Sequence, residues 1–123
     1  MIVVREGTVE PVELHGARFT PCSAPSQGGT ELAMWTVDLP AAAPGVPHRL
    51  DREEVLHVLA GRVSVVVDGE PVELAAGDTL AVPAGALLEV GAAGPGARVL
   101  ACTRAGLTAT MSDGTVLNPP WAR

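Results

Sequence analysis

The apolar runs of this chain are short, and glycine or proline cuts almost every junction between them. "RVSVVV", beginning at Arg62, is β-branched; Asp68-Gly69 follows, then "EPVEL". That order predicts a hairpin over Arg62 to Leu74 with a tight turn. "ELAMWTVDL", "TLAV", "LLEV" and "ARVLACT" are further strand candidates, separated by Pro40, Pro44-Gly45, Gly77, Pro83 and Gly94-Pro95-Gly96. Close, regular spacing of short strands points to an all-β sandwich or barrel. "DREEVLHVLAG" carries a weak helical stripe through Val55, Leu56 and Leu59, and its β-rich surroundings favour a strand instead. "SAPSQGG" and "AAAPG" read as loops, and Pro119-Pro120 excludes a regular strand at the "NPPWAR" end. Trp121 is expected to pack back onto the body or to serve a subunit contact.

With 123 residues, 47% hydrophobic and 18% charged, the chain suits one domain over 1–123 with its own core. Net charge is -6, lysine is absent, and the eight arginines form no cluster. Nucleic acid and anionic membranes are therefore not expected partners. Phe19, Trp35 and Trp121 are the only aromatic residues, too few for a base-stacking platform. "MIVVREGTVEP" has neither the basic start nor the long apolar centre of a secretion signal. No apolar run approaches the ~20 residues that span a bilayer. The expectation is a cytoplasmic protein in which Cys22 and Cys102 stay reduced and act as small buried hydrophobes.

Two spaced patterns carry the chemistry. The first is "GVPHRLDREEVLHVLAG", with His48, Leu50, Glu54 and Gly61. The second is "GDTLAVPAGALLEV", with Gly77, Pro83, Gly85 and Leu88. Together they resemble the two motifs of the cupin family, well from Pro44 to about Gly106 and loosely in the flanks. The resemblance implies a double-stranded β-helix, or jelly-roll barrel, with its core over about 31–106. It also implies a site for a divalent metal held by three histidines and a glutamate. His48 and Glu54 stand at two of those positions; Leu50 and Leu88 stand at the other two. Leucine has no lone pair, and two leucines leave an ion poorly solvated. No cofactor is therefore expected. A metal, if bound, would rest on His48 and Glu54, with Cys22, Cys102, Asp38 and Met34 as formal substitutes that no spacing singles out.

Strand parity sets the remaining expectations. His48 and Glu54 should face the barrel interior on adjacent strands. They form either an acid/base dyad or a pair that merely satisfies its own charges. Trp35, Leu50, Leu56, Val82, Leu88 and Cys102 are expected to form a ligand-binding wall. Trp35 belongs to the set Ala33, Trp35, Val37 and Leu39, which suits a cavity wall or plain core packing. His57 falls on the opposite face to Glu54, and His15 lies in a turn. Unless a bulge turns Glu89 inward, Leu88 is the inward residue.

Three functions remain open. One is an enzyme that moves protons through His48 and Glu54 in an isomerisation, cyclisation or dehydration of a small apolar substrate. Resemblance to small cupins of bacterial secondary metabolism implies such chemistry. Another is a non-catalytic module that binds a small ligand. The last is a metal-dependent oxygenase or isomerase with ligands outside the family pattern. A homodimer is expected, with "MIVVREGTV" as an unpaired apolar strand.

Overall fold

Two strands are much longer than the apolar runs that compose them, and they organise the molecule. The computed structural model describes residues 1–123. Its strands are β1 (Val12–Leu14), β2 (Ala17–Ser23), β3 (Leu32–Pro40), β4 (His48–Leu50) and β5 (Glu54–Val67), then β6 (Glu70–Ala75), β7 (Thr79–Val82), β8 (Leu87–Arg104), β9 (Ala109–Met111) and β10 (Val116–Leu117). β5 and β8 pair antiparallel along nearly their whole lengths, from Glu54↔Thr103 to Val67↔Leu88. The ladder slips between Val58 and Ala60 and again between Gly61 and Val63.

Those slips are corners. Before them, β7 flanks β5 and β3 flanks β8, with β2 and β1 beyond. After them, β6 flanks β5 and β4 flanks β8, with β9 and β10 beyond. The two long strands thus serve both faces of an antiparallel jelly roll, and bulges let them turn from one face to the other. Gly61 sits at the corner with φ +75. A Cβ there would collide with the Gly96 carbonyl oxygen and stand 2.9 Å from Ala97 Cα, so only glycine lets the strands cross this closely.

The "DG" hairpin forms as its sequence predicts. Asp68 (φ 49) and Gly69 (φ 81) give the left-handed pair of a I′ turn between β5 and β6. His15 (φ 52) and Gly16 (φ 78) do the same between β1 and β2. "DREEVLHVLAG" enters β5 as a strand. "LLEV" and "ARVLACT" prove to be one strand, because "GAAGPG" bends within β8 instead of ending it. The expected N-terminal strand is absent: no strand precedes Val12, and Ile2 lies over Gly28 instead.

Alternation places the core between the faces. Leu88, Val58, Val63, Val65 and Val99 are fully buried. Pro120–Ala122 form a 3-10 turn that carries Trp121 back onto β2 and β3. No helix is long and apolar enough to cross a membrane.

Candidate functional site

A cavity of about 130 Å³ lies between the two faces. Eighteen of its 23 lining residues are hydrophobic, so any charge inside it is poorly solvated. The polar exceptions include Glu54, His48 and His15.

Glu54 is the first residue of β5, paired to Val82 on one side and Thr103 on the other. Thr103 Oγ1 donates to the Glu53 carbonyl at 2.5 Å and fixes the strand start. Glu54 is only 5% exposed. Its carboxyl has neither a hydrogen-bond partner nor a neighbouring charge, and burial alone pushes its pKa from the ordinary 4.5 up to about 8. At neutral pH Glu54 is therefore a carboxylic acid, able to donate a proton.

His48 is half-buried on β4, on the other face of the barrel. Its Nδ1 lies 2.8 Å from the Val46 carbonyl oxygen. A carbonyl only accepts, so Nδ1 carries the hydrogen, and Nε2 is the ring nitrogen left without a hydrogen-bond partner. The turn of the second motif is tied to this strand. Gly85 N donates to the Leu50 carbonyl, and Arg49 Nη1 donates to the Gly85 carbonyl, each at 2.8 Å. Arg49 thereby points outward, which leaves His48 and Leu50 pointing in.

The expected adjacency of His48 and Glu54 does not hold. β4 pairs with β8 and β9, whereas β5 pairs with β6, β7 and β8. The two side chains border one cavity from opposite faces, with no hydrogen bond or ion pair between them. They do not satisfy each other.

Trp35, Leu50, Leu56 and Leu88 line the cavity with them. Val82 is buried in the core, 4% exposed, but outside the cavity wall. Cys102 is a correction. Ala101 and Val99 point into the barrel, so parity turns Cys102 outward into a surface groove beside Arg52, Thr103 and Arg104. Cys22 is half-buried elsewhere, its thiol pKa raised by burial, and Asp38 pairs with Arg98 at 3.5 Å. His57 accepts or donates a 2.7 Å hydrogen bond with Thr79 Oγ1, away from the cavity. Leu88 and Val90 line the cavity and Glu89 does not, so no bulge reverses parity there.

Sequence reasoning missed His15, Met111, Phe19 and Trp121 as cavity residues. His15 had a usable signal: a "HG" I′ turn places its first residue at a barrel end. Trp121 stacks on Phe19, with ring centroids 3.8 Å apart and planes 13° from parallel. Trp35 is tilted 58° to Trp121 at 6.4 Å. Backbone hydrogen bonding gives residues 118–123 no tie to the barrel; the one bond there, Ala122 N to the Pro119 carbonyl, is internal. Ring packing holds Trp121 in place, with its indole N–H buried and without an acceptor.

The four positions that resemble metal ligands do converge on this cavity, so the leucines stand where donors would be. No group of three or more His, Cys, Asp or Glu side chains is arranged to hold a metal ion. His48 and Glu54 from opposite faces, with two leucines between, do not fit a family-type metal.

The profile of the cupin domain family matches residues 35–102, more than half of the chain. Comparison with curated proteins finds no relative in sequence. Among solved structures, an RmlC-like cupin from Shewanella frigidimarina superposes with a TM-score of 0.72 at 20% identity, over 83% of this chain and 88% of its own. The polyketide cyclase RemF from Streptomyces resistomycificus gives 0.71 at 19% identity, over 85% and 79%. A salicylate 1,2-dioxygenase from Pseudoaminobacter salicylatoxidans gives 0.73 at 18% identity, over 84% of this chain and 31% of the dioxygenase. At these identities the structures share a fold and nothing finer. The barrel, the two motifs and the matching profile together place this chain in the cupin family, with its metal site dismantled by Leu50 and Leu88.

Proposed function

We propose that this cupin transfers protons on a small, largely apolar substrate held in the barrel, in an isomerisation, cyclisation or dehydration. One observation carries the reading: Glu54 is a carboxyl buried in an apolar cavity with no partner. A residue kept only for structure would be paired, because an unpaired buried carboxyl costs stability. Held protonated at neutral pH, Glu54 donates to the substrate from one face. His48 Nε2 accepts a proton from the other. Donor and acceptor separated across a cavity can act on two atoms of one bound molecule, as enolisation or loss of water requires. RemF, a polyketide cyclase on the same fold, is a precedent for ring-forming chemistry in this architecture.

The test begins with a thermal-shift panel of small cyclic ketones and aldehydes. Stabilising compounds are then incubated in heavy water, and deuterium entry beside the carbonyl is followed by NMR. The wild type should exchange. Glu54→Gln and His48→Ala should each lower exchange by at least ~100-fold, with affinity within about threefold. Binding without exchange in the wild type would overturn proton transfer and leave a ligand-binding module.

A further inference from the structure

All three aromatic rings of the chain border the same small cavity. Abundance does not explain this, since aromatics make up only 2% of the residues. They come from three separate places: Phe19 on β2, Trp35 on β3 and Trp121 on the C-terminal 3-10 turn. The Phe19–Trp121 stack and the tilted Trp35 all border the cavity, so aromatic ring surface makes up part of its lining. Flat surfaces of this kind favour a flat occupant, since aromatic pairs gain from offset stacking and edge-to-face contact beyond their buried area.

Size narrows the occupant further. A cavity of about 130 Å³ is close to the ~150 Å³ apolar cavity that takes up one benzene molecule. A fused bicycle needs more than this volume. Polarity supplies the last constraint. Glu54 and His48 are the polar side chains set within the lining, with His15 at its exposed end. A hydroxyl or carbonyl oxygen on the ring meets Glu54, His48 or both; a carboxylate would find Glu54 beside it and no arginine or lysine in the lining to pair with.

We infer that the cavity selects a single uncharged aromatic ring bearing a hydroxyl or carbonyl oxygen, with Phe19, Trp35 and Trp121 as the residues that set this specificity. The inference rests on the proton-transfer reading only for which groups meet the oxygen; ring selection stands on the aromatic wall and the cavity volume.

The experiment compares three probes of graded shape by calorimetry: 4-methylphenol, 4-methylcyclohexanol and 2-naphthol. The indole N–H resonances of Trp35 and Trp121 are followed by NMR in parallel. 4-Methylphenol should bind at least tenfold tighter than 4-methylcyclohexanol and shift both indole signals, and 2-naphthol should bind at least tenfold more weakly than 4-methylphenol. Trp121→Leu should bring the first two probes within about threefold of each other, while Trp121→Phe keeps the preference and controls for folding. Equal affinity for the flat and puckered rings in the wild type would overturn the inference. So would tight binding that leaves both indoles unmoved, or no binding of any probe. The two proposals fail separately. Equal ring affinities with Glu54→Gln still abolishing exchange would remove the ring selection alone, and clear ring selection with exchange unaffected by Glu54→Gln would remove proton transfer alone.

Discussion

Glu54 sets the behaviour of the site one residue at a time. Its folded pKa of about 8 lies above the ordinary 4.5, so between those pH values the folded chain keeps a proton that the unfolded chain releases. Stability therefore falls as pH rises through that window and levels off above it. Glu54→Gln removes the group that titrates. The variant should gain on the order of a few kcal/mol over wild type at pH 8 relative to pH 5. Urea unfolding at pH 5, 6.5 and 8 reads this directly, and parallel pH slopes in both proteins would show that Glu54 is not buried as an acid. Proton donation by Glu54 should likewise disappear as pH rises through about 8, with the loss of one proton. Leu50 and Leu88 give a second prediction at this scale. His48 faces Leu88 directly across the β4–β8 ladder, and all four positions border one cavity. Leu50→His with Leu88→His should therefore create a divalent-metal site with His48 and Glu54. About one zinc ion per chain should survive dialysis in the double variant, and a double variant that folds but loses its zinc would show that the four positions no longer converge.

At the scale of elements, the barrel depends on two long strands turning a corner together. Gly61 makes that possible, since its positive φ and its closeness to Gly96 and Ala97 leave no space for a side chain. Gly69 also has a positive φ, +81, but nothing lies within 4 Å of where its Cβ would be. The pair separates backbone strain from collision. Gly69→Ala should cost about 1 kcal/mol, the strain alone. Gly61→Ala should cost about 3 kcal/mol or more, because backbone atoms block it as well. Thermal unfolding of the two variants side by side checks this, and equal losses would mean that the corner yields easily. The corner also marks where reading from sequence stops. "GAAGPG" holds three glycines and a proline, the usual punctuation between elements, yet it bends inside β8. Local chemistry identifies a break in regular extension; it does not say whether the chain leaves the sheet or turns with it. The "DG" and "HG" turns were different, because two consecutive residues suited to positive φ specify a I′ hairpin without outside help.

Across the whole molecule, the separation of His48 from Glu54 matters most. The strands that carry them are not neighbours in the sheet, and the imidazole and the carboxyl border one cavity without a hydrogen bond between them. The homodimer expected from sequence is a prediction at this scale. Its original support, an N-terminal strand, is gone, although Ile2, Val3 and Leu32 remain well exposed. Sedimentation equilibrium should give twice the 12.5 kDa chain mass, and a mass of one chain would remove the dimer.

Legible in the sequence were the fold class, the Arg62–Leu74 hairpin, the inward set Trp35, Val37 and Leu39, and the loss of two metal donors. Each of these follows from a local rule: strand parity, turn conformation, or the chemistry of one side chain at one spacing. Tertiary structure alone decided which inward residues share empty space. Parity placed Val82 and Leu88 inside equally well, but only Leu88 borders the cavity. Parity also turned Cys102 outward, once the register of β8 had fixed Ala101 as the inward neighbour. Trp121, beyond the family profile match that ends at residue 102, joins Phe19 and Trp35 because the C-terminal turn folds back across β2 and β3. Long-range packing brings these residues together, and no spacing along the chain encodes it.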